Sequence, residues 1–168
     1  MKWNAWMVEQ GIPEVTGGRA RILVWLMHKA FIVTRGMTMG VRAACFDEEG
    51  RIFLVRHTYV PGWYMPGGGM ERGETALQAL HKELREEGNL EVLGVPELFH
   101  VYLNRNASKR DHVLFYKVNV NQTAPRAADY EIAESGFFAL DALPPEVTQA
   151  TARRLQELSG KIEKGEYW

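Results

Sequence analysis

Apolar and polar residues alternate along TMGVRAACF, residues 38–46, with the period of two expected of a half-buried strand. The turn DEEGR follows, with Gly50 free to take positive φ, and RIFLVRH returns as a second strand. Residues 38–57 therefore predict a hairpin. The loop TYVPGWYMPGGG, rich in Pro, Gly and aromatics, leads to a helix whose start carries the Thr75-x-x-Gln78 capping box. Gly88 and Asn89, both tolerant of a left-handed backbone, end that helix. LEVLGV, LFHVYLN and HVLFYKVNV are three strand candidates, the last two separated by the loop RNASKRD. SGFFAL reads as a short strand, and LPPEVTQATARRLQELSG as a terminal helix with prolines near its start and Gly160 near its end. The order β-rich, helix, β-rich, helix predicts a mixed sheet packed between helices, of α/β or α+β type.

Upstream the pattern decides less. Residues 1–18 are punctuated by glycine and read as an arm, and residues 19–33 fit either a short helix or a strand. We expect one domain over 38–168, with residues 1–37 as an N-terminal segment that packs on it or makes a dimer contact. A length of 168 residues suits such a single core.

A formal charge of −1 excludes a global attraction to nucleic acid or an acidic membrane, so a polyanion must be met by a local patch. We expect no stable nucleic-acid partner and no membrane. The apolar run Ile22–Met27 is far shorter than the ~20 residues a bilayer needs, and His28 and Lys29 interrupt it without a small-residue cleavage pattern. The single cysteine, Cys45, lies in an apolar run and fits a buried thiol in a reducing compartment, so the expected location is cytoplasmic.

Candidate chemistry sits on the first helix. Taking Glu83 as zero, Glu87 falls near 40° and Glu86 near −60° at roughly 100° per residue. Leu80, Leu84 and Leu77 fall at about 60° to 120°, an adjacent apolar stripe. Carboxylates in a last turn oppose the helix dipole, at a cost of roughly 0.3–1 kcal/mol each. A solvated face tolerates that cost, so the ExxEE pattern alone does not decide. The three glycines after Pro66, whose backbone can approach a ligand closely, change the balance. Carboxylates beside a backbone carbonyl suit Mg²⁺ or Mn²⁺.

Residues 68–90 resemble the Nudix box, G-x5-E-x7-R-E-U-x-E-E-x-G-U, where U is apolar. Gly68, Glu74, Glu83, Leu84, Glu86, Glu87 and Leu90 match it, while Lys82 stands for the usual Arg and Asn89 for the usual Gly. WYMPGG before the box and SGFFALDALP after it extend the resemblance to about residues 38–160. It implies an α/β/α sandwich around a mixed sheet and a pyrophosphohydrolase acting on acid anhydrides: hydrolysis of the diphosphate in a nucleoside diphosphate linked to another group, X. By the same analogy Glu83, Glu86, Glu87 and the Gly67 carbonyl bind Mg²⁺ or Mn²⁺, and Glu87 or Glu86 serves as general base. Some relatives use a later carboxylate, for which Asp129, Glu131 and Glu134 are candidates. Glu71 and Glu74 either order the loop or supply charge near a helix N-terminus.

Arg56 and His57 end the strand before the glycine loop and are candidates to face a substrate phosphate, as are Arg110 and His112 further on; a solvated surface is the alternative for each. Trp63 and Tyr64 either stack on a base or pack. No two histidines show ligand spacing, which argues against a histidine ligand. Two other readings stay open on this fold. One is a catalytically silent module that senses a nucleotide; the other is a diphosphate isomerase, for which Cys45 is poorly placed. The family resemblance is also compatible with a homodimer.

Overall fold

The computed structural model describes residues 36–168 and, before them, Ile22, Trp25, Leu26, Met27 and Ala30, which are helical and exposed. The expected arm and the packing or dimer roles of residues 1–37 lie outside the described residues. The chain divides after Gly36, and the second unit is Met37–Trp168.

The alternating segments form strands β1 (Thr38–Phe46) and β2 (Ile52–His57), followed by helix α1 (Ala76–Gly88). Strands β3 (Leu90–Leu103), β4 (Asp111–Gln122) and β5 (Ile132–Phe138) and helix α2 (Gln149–Leu158) complete the unit. The strands make one five-stranded sheet in the order β3-β4-β1-β2-β5. β1 runs parallel to β4, from Thr38 opposite Asp111 to Phe46 opposite Asn119, and the remaining neighbours are antiparallel. This mixed sheet realises the expected α+β class.

Each face of the sheet buries its own apolar cluster. Val41, Ala43, Cys45, Phe53 and Val55 pack against Ala79, Leu80 and Leu84 of α1. Ala44, Ile52, Leu54, Tyr102 and Phe115 pack against Leu155 and Leu158 of α2 and against Trp168. The period of two along β1 thus divides its side chains between the layers. Burying Leu80 and Leu84 contributes about 2 kcal/mol each and fixes which face of α1 looks inward. Cys45 is fully buried, and burial pushes its thiol well above the usual range, as an inert core thiol requires.

Both ends of α1 follow local sequence rules. The Thr75 hydroxyl accepts the Gln78 N–H at 3.2 Å, and the Gln78 side chain accepts the Thr75 N–H at 2.9 Å, closing the capping box. Asn89 ends the helix in the left-handed conformation at φ 52°. The Arg126 Nε donates to the Glu86 carbonyl at 2.7 Å, and the Gln122 amide to the Gly88 carbonyl at 2.8 Å. A cation and a donor therefore meet the carbonyl end of a helix that carries acids there.

Elsewhere the elements differ from the sequence pattern. LEVLGV and LFHVYLN are one strand, β3, because the sheet edge carries Gly94 at φ 74° and Pro96 through a register shift between Leu93 and Glu97. The terminal helix begins only at Gln149, capped by Thr148, after a turn in which Glu146 takes φ 64°. Leu77, placed in the apolar stripe by the helical wheel, is 44% exposed, because Leu80 and Leu84 already fill the contact with the sheet.

Candidate metal centre

The glycine loop runs antiparallel along β1. The Val41 N–H donates to the Gly68 carbonyl at 2.9 Å, the Ala43 N–H to the Pro66 carbonyl at 3.0 Å, and the Met70 N–H to the Met39 carbonyl at 2.9 Å. Pro66 and Gly68 therefore spend their carbonyls on β1. The Gly67 carbonyl between them has no donor among the described residues. Gly67 sits at φ 138°, and a Cβ there would lie 2.1 Å from the Val41 carbonyl oxygen, so no other residue fits.

The same loop receives the acids of α1. Glu87 is 5% exposed, and its Oε2 accepts the Gly67 N–H at 2.7 Å. Glu83, half-buried, lies so close to the chain that a Cβ on Gly68 would stand 2.6 Å from its carboxylate carbon and both oxygens. Glu86, on the same side of the helix, is exposed at the rim. Burial pushes the Glu87 pKa up to about 7, against the lowering effects of the Arg42 charge and the Gly67 hydrogen bond. Burial likewise raises the pKa of Glu83, opposed by Lys82 and reinforced by the Glu86 charge. Lys82 does not clamp these carboxylates; its ammonium donates to Glu71 at 2.9 Å. Glu74 accepts the Glu71 N–H at 2.9 Å, so Glu71 and Glu74 order the loop that leads into α1.

A buried carboxylate with one protein hydrogen bond, a half-buried carboxylate beside it and a free backbone carbonyl form a hard oxygen donor set that matches a small divalent cation. Among the described residues the site also gathers groups from other elements. Arg42 of β1 went unnoticed in the sequence, yet its charge acts on Glu83, Glu87 and His57. The available signal was a cation inside a strand whose neighbours Val41, Ala43 and Ala44 are fully buried.

His57 ends β2 at a register shift that sets it opposite Ile132. Its Nε2 lies 3.8 Å from Glu87 Oε1, and its Nδ1 is buried with no hydrogen-bond partner. Burial and then the Arg42 charge lower the His57 pKa; the Glu131 carboxylate and carbonyl oppose them without closing a hydrogen bond to Nδ1. The ring rests between Tyr59 and Tyr64, with centroids 5.1 and 5.7 Å away. An open cavity of ≈ 430 Å³, lined by Arg56, His57, Tyr59, Pro61, Ala133 and Glu146, adjoins it.

The remaining candidates separate. Arg56 pairs with Glu134 at 3.1 Å and lies over the Trp63 ring. Trp63 is buried against Phe138, and the Tyr64 hydroxyl donates to the Pro61 carbonyl, so both serve packing. Asp129 accepts the Ile132 and Glu131 N–H groups and the Arg126 guanidinium, which hold its carboxyl at about 2 and make it a loop brace. Of the later acids, Glu131 is the one that joins His57 and Glu87 in a potential cation cluster. Arg110 and His112 lie at the entry to β4, beside the beginning of β1, and make no hydrogen bond or ion pair with Glu83 or Glu87 among the described residues. There the Arg110 carbonyl accepts the Thr38 N–H at 3.1 Å, and His112 Nδ1 is buried without a partner.

A sequence model of the family described as NUDIX domain matches residues 36–158. The RNA pyrophosphohydrolase of Legionella pneumophila (strain Corby) is 36% identical over 64 residues, covering 35% of this chain and 37% of that protein. The match therefore spans little more than a third of that relative's length. Among solved structures, a MutT NUDIX hydrolase from Burkholderia pseudomallei is similar at TM-score 0.61 and 26% identity, over 72% of this chain and 97% of that one. An ADP-ribose pyrophosphatase from Streptococcus suis is similar at TM-score 0.55 and 25% identity, over 77% of this chain and 96% of that one. Among the described residues no helix is long and apolar enough to cross a membrane.

Proposed function

Because the chain belongs to the Nudix family, we propose that it hydrolyses the diphosphate linkage of a nucleoside diphosphate joined to another group, using Mg²⁺ or Mn²⁺. The observation that carries this reading is the buried Glu87 carboxylate, which faces the Gly67 backbone with one protein hydrogen bond and a pKa pushed up to about 7. Such a group is costly to bury unless something else completes its coordination. Glu83, Glu87 and the Gly67 carbonyl hold the cation, with Glu86 at its rim. Bound there, the cation neutralises charge on phosphate oxygens and lowers the pKa of water.

The chain's own residues supply the rest. Glu83 and Glu87 fix the diphosphate's position through the shared cation site. Glu86, exposed beside the buried Glu87, takes the proton of the attacking water. Arg42 limits the repulsion among the acids. The cavity beside His57 and Arg56 receives the group attached to the diphosphate.

The test is incubation with Mg²⁺ or Mn²⁺ and a panel of ADP-ribose, nucleotide sugars, dinucleoside polyphosphates, oxidised dNTPs and RNA with a 5′ triphosphate or cap. The RNA arm is included because curated relatives are RNA pyrophosphohydrolases. We expect cleavage of one class, read as phosphate-containing products and lost in Glu86→Gln and Glu87→Gln. Nucleotide binding without products would favour the sensing module instead.

A further inference from the structure

We infer that His57 supplies a nitrogen ligand to the cation of this pocket, together with Glu87 and Glu131, so that the site takes Mn²⁺ or another first-row transition dication more tightly than Mg²⁺. This rests on the reading of the pocket as a cation site.

The geometry carries the assignment. One ligand atom from each of His57, Glu87 and Glu131 lies within 4.8 Å of the others. His57 Nε2 and Glu87 Oε1 are 3.8 Å apart, too far for a hydrogen bond. Two donors that share a cation at about 2.0–2.2 Å stand roughly 3 Å apart when adjacent and just over 4 Å apart when opposite, so the separation fits a bridged pair. Glu131 is half-buried in a loop, and rotation about its side-chain bonds can close the last few tenths of an ångström.

The imidazole is also placed for this work. Its side chain is 5% exposed, and Nε2, the nitrogen that faces Glu87, makes no hydrogen bond among the described residues and is free to ligate. The register shift between Arg56 and His57 in the β2–β5 pairing re-aims the ring. Tyr59 and Tyr64 hold its plane. The Thr58 N–H donates to the Glu131 carbonyl at 2.9 Å, tying the loop that carries Glu131 to the residue after His57. A ligating histidine commonly turns its other nitrogen toward a carbonyl, and the Glu131 carbonyl lies beside this ring. A simple ion pair with Glu87 would instead bring the two groups within hydrogen-bonding distance.

The consequence is metal choice. Mg²⁺ favours an all-oxygen shell with several waters, whereas imidazole suits the later first-row dications and Mn²⁺ accepts both. The absence of a histidine pair at ligand spacing hid this, because the partners come from a helix 30 residues later and a loop 74 residues later (87 − 57 and 131 − 57).

The test is Mn²⁺ titration of the full chain followed by pulsed electron paramagnetic resonance, which detects a directly bound ¹⁴N nucleus. We expect a ¹⁴N coupling in the unaltered protein. We also expect His57→Gln to lose that coupling and to weaken Mn²⁺ by about tenfold or more. Its Mg²⁺ affinity should stay within about threefold of the parent's, since Mg²⁺ gains little from imidazole. Mn²⁺ bound without ¹⁴N coupling, or bound equally by His57→Gln, overturns the inference and leaves the oxygen site standing. No dication bound at all would overturn the cation site as well. The spectrum is read on the parent chain, so a misfolded variant does not leave the question open.

Discussion

Glu87 and Glu157 are buried carboxylates on helices that cover opposite faces of one sheet, and they are satisfied in opposite ways. Glu157, 4% exposed, accepts the Tyr102 hydroxyl at 2.6 Å, the Arg154 guanidinium at 2.8 Å and the Gly165 N–H at 3.1 Å. Arg154, fully buried, stacks 4.0 Å from the Tyr102 ring and donates to the Tyr167 carbonyl. That network satisfies both Glu157 oxygens and leaves the Arg154 Nε without a partner, and it fastens the C-terminal residues to β3, where the Leu103 N–H also donates to the Glu166 carbonyl at 2.9 Å. Glu87 has one hydrogen bond, an acidic neighbour and a histidine just out of reach. A burial that protein groups complete stabilises the fold; one left incomplete holds coordination in reserve for a ligand.

Breaking each side should therefore give a different kind of loss. The largest effect belongs to the open site. Glu83→Gln and Glu87→Gln should each lower Mg²⁺-dependent turnover about a thousandfold or more, measured by product release, with unchanged circular dichroism. On the closed side, Arg154→Met leaves Glu157 buried without its cation and should cost roughly 3–5 kcal/mol in denaturant unfolding. Turnover per folded molecule should stay close to that of the parent. Equal losses of stability at both sites would erase the contrast.

A third effect concerns pH. The Glu87 carboxyl titrates at about 7 in the fold, against an ordinary value of 4.5. Its folded pKa is raised, so the cation-free protein has the full benefit below about 4.5 and loses it as pH rises through 7, on the order of 3 kcal/mol in all. The melting temperature of metal-free protein should fall across that window, and Glu87→Gln should flatten the slope. Smallest is the exposed Arg56–Glu134 pair, where Glu134→Gln should change stability by less than about 1 kcal/mol. A larger effect there would mean that the strand end is more tightly coupled to the cavity than its exposure suggests.

The parts of the fold governed by neighbours in sequence were legible from the chain. Thr75 and Gln78 close a box across three residues, and Asn89 takes the one conformation its side chain tolerates better than most. The hairpin of β1 and β2 follows from alternation and a glycine turn. What was not legible depends on distant partners. The continuity of β3 through Gly94 and Pro96 comes from its edge position and a register shift against β4. The exposure of Leu77 comes from how much of α1 the sheet can cover. In the site, the glutamates and glycines were visible because their spacing is local. Arg42, His57 and Glu131 arrive from two strands and a loop, and no spacing along the chain brings them together. Likewise, among Asp129, Glu131 and Glu134, only the observed partners of the outer two, Arg126 and Arg56, reveal that they are already committed.

The most direct test of the account is a crystal of the chain soaked in Mn²⁺ and read by anomalous scattering. A peak is expected about 2.0–2.4 Å from carboxylate oxygens of Glu83 and Glu87 and from the Gly67 carbonyl. A cation found only among surface acids, with Glu87 still bonded to the Gly67 N–H alone, would contradict it.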